Sequence, residues 1–79
     1  MSRFHQQIPP AAEQAIFSYL RAGSFHHVAA EAAGVSADVF EGWLARGRAP
    51  RASAALRAFA RGVMQAHAQA RVAAEVAVH

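Results

Sequence analysis

Val28-Ala29-Ala30-Glu31-Ala32-Ala33-Gly34-Val35-Ser36-Ala37-Asp38-Val39-Phe40-Glu41-Gly42-Trp43-Leu44-Ala45-Arg46-Gly47 is the stretch whose reading decides the fold. Its small and apolar residues fall where two short helices crossing steeply about a tight turn, a helix-turn-helix, require them. A steep crossing needs a small side chain on the first helix, and Ala30 supplies it. The turn needs a residue that tolerates positive φ, which Gly34 does, and Val35 then plugs the corner. Ser36 is placed to cap the second helix by accepting a backbone N–H. Phe40, Trp43 and Leu44, at i, i+3 and i+4, form one inward apolar stripe. Gly47 suits the C′ position that stops such a helix.

Working outward, punctuation and periodicity give two more helices. Pro9 and Pro10 suit the start of a first helix, where Ala12, Ile16, Tyr19 and Leu20 recur at helical spacing before Gly23 closes it. Phe4 and Ile8 are placed to staple that start. Ser24 is expected to cap a second helix whose Phe25, Val28, Ala29 and Ala32 lie on one side and which ends at Gly34. The third helix is expected from about Ala37 to Arg46, followed by the linker Gly47-Arg48-Ala49-Pro50. A fourth begins near Pro50 and meets no breaker except Gly62. Nothing alternates with period two, so no sheet is expected. The fold class is all-α, a three-helix helix-turn-helix core followed by a long Ala-rich C-terminal helix. Residues 1–8 read as a flexible N-terminal arm, 9–48 as the helix-turn-helix domain and 49–79 as the long helix for core packing and oligomerisation.

Along that last helix Leu56, Phe59, Val63, Ala66, Ala70, Ala73 and Ala77 follow alternating steps of three and four, the seam of a coiled coil. Leu56, Phe59 and Val63 are bulky enough to roof the preceding helices, and the remainder wants a partner. Met64, Ala68, Val72 and Val76 form a second stripe at steps of four. Two apolar stripes imply two neighbours, as in a ring or bundle, so homo-oligomerisation falls to Val63, Met64, Ala66, Ala70, Val72, Ala73 and Val76. Two alternatives stay open. The Ala-rich tail is helical by propensity alone, or a hinge at Gly62 folds it back on the core of a monomer.

Composition bounds the rest. A chain of 79 residues is one small domain, and much of its 54% hydrophobic content is Ala, which buries little surface. Absence of Cys excludes disulfides and thiolate metal sites. No apolar run approaches a membrane span and no signal-type segment follows Met1, so a cytoplasmic protein is the default expectation. All eight basic residues are Arg. Through Ala45, Arg3 and Arg21 stand against Glu13, Glu31, Asp38 and Glu41. From Arg46 onward Arg46, Arg48, Arg51, Arg57, Arg61 and Arg71 stand against Glu75 alone. The positive end begins where the helix-turn-helix ends, an asymmetry that points to nucleic acid.

The order Ile16-x-x-Tyr19-Leu20-x-x-Gly23, Ala29-Ala30-x-x-Ala33-Gly34-Val35-Ser36, Phe40-x-x-Trp43-Leu44-x-x-Gly47, then Phe59 opening an Ala-rich helix, resembles the DNA-binding end of small terminase subunits of tailed bacteriophages. The resemblance spans about Ile16 to Val76, and homeodomain-like and repressor domains share parts of it. It implies an oligomer that binds a packaging start site on double-stranded viral DNA and presents it to the large ATPase-nuclease subunit.

For DNA binding, the start of the third helix would meet bases through Ser36, Ala37 and Glu41, with Arg46, Arg48, Arg51, Arg57 and Arg61 on phosphates. Arg57 and Arg61 lie one turn apart, opposite Leu56 and Phe59. Asp38 reads as a first-turn residue favoured by the helix dipole, while Glu41 accepts from a cytosine amino group or pairs with Arg48. Arg3 is a possible minor-groove contact on a disordered arm. His26 and His27 point about 100° apart and read as surface polar residues, with His5, His67 and His79 scattered, so no metal site is expected. No nucleophile, phosphate loop or paired carboxylates stand at catalytic spacing, so neither an enzyme nor a cofactor is expected. Two further functions stay open. One is a small transcriptional regulator or nucleoid-associated factor. The other is a protein-interaction module docking through Asp38 and Glu41.

Overall fold

The computed structural model describes residues 8–78, and among them every regular element is helical. Helix α1 (Pro10–Arg21) begins with Pro10 at its first position, where a missing N–H costs nothing. Helix α2 (His26–Ala32) is short, α3 (Ala37–Gly47) follows a four-residue turn, and α4 (Ala54–Val78) runs unbroken for 25 residues. The all-α helix-turn-helix core and the long terminal helix expected from the sequence are both present.

Both early turns are built the same way. Gly23 and Gly34 adopt φ of +99° and +84°, which L side chains rarely adopt. After α1 the Ser24 N–H donates to the Tyr19 carbonyl and the Gly23 N–H to Leu20. After α2 the Val35 N–H donates to Ala30 and the Gly34 N–H to Glu31. Each set is a complete Schellman stop, satisfying carbonyls that the helix end leaves without partners. Ser36 caps α3 as expected, its hydroxyl accepting from the Val39 N–H at 3.2 Å, and Val35 is half-buried against the core.

Phe59 of α4 sits at the centre of the core. Its ring stacks on Phe17 of α1 at 5.7 Å and takes the edges of Phe40 and Trp43 of α3 at 5.6 and 5.7 Å. Ile16, Leu20, Ala29, Ala30, Leu44, Leu56, Ala60, Val63 and Ala66 complete the buried apolar set. A Phe→Ala change at such a site typically costs about 3–5 kcal/mol, comparable with the whole stability of a small domain. Helix α4 packs chiefly on α1 and α3, and α2 bridges α1 and α3.

Several expectations are corrected. Ser24 does not cap α2. Its backbone belongs to the α1 stop, so Phe25 takes the N-cap position with no side-chain bond. Phe25 is 75% exposed, and Val28 and Ala32 are also exposed, because α2 buries only Ala29 and Ala30; Tyr19 is exposed on α1, which buries Ile16 and Leu20. Helix α4 starts at Ala54 and not near Pro50, capped by Ser53, whose hydroxyl accepts from the Leu56 N–H at 3.2 Å. Gly47 is the last residue of α3, not a stop beyond it. A Cβ there would collide with the Leu56 carbonyl, so glycine lets α3 and α4 touch. Gly62 is no hinge. It lies inside α4 where a Cβ would enter the Phe17 ring. Of the proposed staple, Ile8 is half-buried against the core and Phe4 lies outside the described residues.

Candidate nucleic-acid interface

The turn of residues 33–36 sets α3 on the surface with Asp38, Glu41, Ala45 and Arg46 exposed, while Phe40, Trp43 and Leu44 anchor its other side. Among the residues expected to meet bases, Ser36 commits its hydroxyl to the cap and Ala37 is half-buried. Glu41 is engaged within the protein, but not by Arg48. Its Oε2 accepts from His26 Nδ1 at 3.0 Å, so an imidazole of α2 holds the carboxylate of α3.

The arginines cluster where α3 ends and α4 begins. Arg46, Arg48, Arg51, Arg57 and Arg61 are all exposed. Arg46 and Arg51 line one groove with Ala49, Ala52, Ser53, Ala55 and Leu56, a shallow apolar floor with positive walls. The Arg46 guanidinium lies along its own helix, 3.8 Å from where a Cβ on Gly42 would be. Arg57 donates from Nη2 to the Ala52 carbonyl at 2.9 Å, bracing the linker to α4. Arg3 lies outside the described residues.

The residues assigned to oligomerisation separate into two groups. Val63 and Ala66 are buried in the chain's own core, and Ala70 is half-buried, so the seam faces α1 and α3 over its first half. Met64, Val72 and Val76 are exposed by 62, 58 and 68%, and Ala73 is exposed beside them.

The histidine network was missed by sequence reasoning. His26 Nε2 lies 2.8 Å from His67 Nε2 of α4, and the His26 ring also meets the edge of Phe40 at 5.0 Å. His26 is therefore half-buried and partnered, not a free surface residue. No local pattern marks the pair, because the two residues stand on helices far apart in the chain. His27 is exposed, its ring parallel to Phe25.

Among the described residues no helix is long and apolar enough to cross a membrane, and no three His, Cys, Asp or Glu side chains gather as metal ligands. Comparison of the chain with protein-family models, curated proteins and solved structures finds no match.

Proposed function

We propose that this chain is a non-enzymatic helix-turn-helix protein that binds double-stranded DNA as a homo-oligomer, in the manner of the small terminase subunits its sequence resembles. The observation that carries this reading is the run of five exposed arginines, Arg46 to Arg61, from the last turn of α3 through the linker into the first half of α4. Guanidinium groups there serve as phosphate clamps, which position a duplex without reading its sequence. The internal pairing of Glu41 with His26 supports the same reading, because a hydrogen bond to α2 engages one of the two carboxylates that α3 would bring toward phosphate. Oligomers multiply weak contacts, and the exposed Met64, Val72 and Val76 supply an apolar face for self-association. In the packaging version of this role the protein partner is the large terminase ATPase and the site of action is the cytoplasm.

A regulator or nucleoid-associated factor uses the same DNA surface. The interaction-module reading draws on exposed Asp38 and on the apolar Phe25 and Val28 of α2. Titration of a labelled duplex by fluorescence anisotropy at two salt concentrations separates these readings. DNA binding gives log K falling by roughly 0.9 per neutralised phosphate per decade of salt, and Arg48→Glu with Arg51→Glu abolishes it at unchanged helicity. Affinity unaffected by that double change would overturn the assignment, and no saturable binding at low salt would favour the interaction module.

A further inference from the structure

Three helices meet through one chain of polar atoms. Glu41 of α3 holds His26 Nδ1 at 3.0 Å, and His26 Nε2 of α2 faces His67 Nε2 of α4 at 2.8 Å. The ring centroids of the two histidines are 4.9 Å apart, so the imidazoles meet end to end and not face to face. A nitrogen pair this close needs one hydrogen between its members. Two lone pairs repel there, and so do two N–H groups. A metal ion at about 2.0–2.1 Å from each nitrogen would hold them farther apart, and no third His, Cys, Asp or Glu among the described residues joins them.

We infer that Glu41, His26 and His67 form a proton-counting relay that fastens α2 to α3 and α4 while it carries at most one added proton, and that breaks the contact between α2 and α4 when a second arrives. With both imidazoles neutral, the Glu41 carboxylate accepts from His26 Nδ1–H. His26 Nε2 is then bare and accepts from His67 Nε2–H. The first added proton binds His67 Nδ1, and the bridging hydrogen passes to His26 Nε2. His26 is now a cation donating to Glu41 and to the bare His67 Nε2, and both contacts survive. On the imidazole pair a second proton has only His67 Nε2 to bind, which sets two donors against each other at the 2.8 Å contact and opens it.

The surroundings favour this order. The pocket beside the pair is lined from the α1 side by Leu20, Gly23 and Ser24, none of which titrates, and from α4 by Arg71. His27, next in α2, turns away toward Phe25. Glu41 from α3 is the carboxylate that faces the relay. Burial first, then His26 and then Arg71, hold His67 below the ordinary imidazole value. A base weakened by folding contributes stability fully present above its unfolded pKa, about 6.5. That stability is lost as pH falls from there toward the folded value, because the unfolded chain binds the proton more readily.

Two measurements on the whole chain test it. Long-range proton–nitrogen NMR at pH about 8, above the ordinary histidine range, should show His26 protonated at Nδ1, against the usual Nε2–H preference of a solvated histidine side chain. Thermal unfolding followed from pH 8 to pH 5, about the span of histidine titration, compares the natural chain with His67→Gln and with His27→Gln. The side-chain amide introduced by His67→Gln can donate to or accept from His26 in either state. The natural chain and His27→Gln should lose at least about 3 °C more than His67→Gln across that span. Parallel melting curves for all three, or an Nε2–H tautomer of His26 at high pH, would overturn the relay. If His67→Gln fails to fold, the tautomer of the natural chain still decides.

Discussion

Gly47 and Leu56 meet backbone to backbone. The hydrogen of Gly47 faces the Leu56 carbonyl oxygen, and a Cβ there would also lie 2.9 Å from the Ala60 side chain. This contact brings the last turn of α3 against the first turns of α4 and so sets Arg46 and Arg51 on the walls of one groove.

Replacing Gly47 by Ala drives a methyl into fixed backbone, and stability should fall by roughly 1–3 kcal/mol in urea unfolding. Gly62→Ala meets a ring instead, that of half-buried Phe17, which can turn aside. Alanine also suits a helix interior better by up to about 1 kcal/mol. The second substitution should therefore cost less than the first, and equal costs would mean that α3 and α4 are not held at this distance.

Gly34 has open space around it, so Gly34→Ala isolates the strain of φ +84° for a residue with a Cβ. The expected loss is about 1–2 kcal/mol, with Gly34→Asn milder because Asn visits the left-handed region more readily. Circular dichroism melts of the two variants check the order.

The serines before the helices should behave differently. Ser36→Ala and Ser53→Ala each remove a hydroxyl that accepts a backbone N–H, at a typical cost of about 1 kcal/mol. Ser24→Ala removes no cap of α2 and should stay within about 0.5 kcal/mol of the natural chain. A loss at Ser24 as large as at Ser53 would contradict the assigned start of α2.

Self-association through α4 is tested by replacing Met64, Val72 and Val76 together by Ser, since none of them serves the core. Light scattering at micromolar concentration should show the natural chain as a multiple of 8.4 kDa and the variant as the single chain with its helices retained. A natural chain that already runs at 8.4 kDa would remove the oligomer from the proposed function.

What the sequence made legible was whatever the backbone decides locally. Gly34 announces a positive φ, Ser36 a cap, and Phe40, Trp43 and Leu44 one face, because each depends on neighbours within a turn or two. Gly47 and Gly62 look like a stop and a hinge by the same local rules. Their real partners, Leu56 and Phe17, belong to other helices, and close approach leaves no local trace. Ser24 and Ser53 are indistinguishable as letters before an apolar run. What separates them is that Ser24 already closes α1 through its bond to Tyr19. Of the candidate site, the arginine cluster was visible as a run of charge. The pairing of Glu41 with His26 rather than Arg48, and of His26 with His67, was not, since a spacing rule searches within one helix and these contacts cross between three.

The packing of α1 against α4 joins the first described helix to the last and encloses the core between them. No pair of neighbouring helices can therefore bury Phe59 alone, since its aromatic neighbours come from both α1 and α3. The amides of α1, α3 and the first half of α4 should then exchange with solvent through one shared opening event and report a single global free energy. The exposed turns after Ala70 lie outside that closure and should exchange far sooner, which makes the chain one cooperative unit with a helical extension that opens independently.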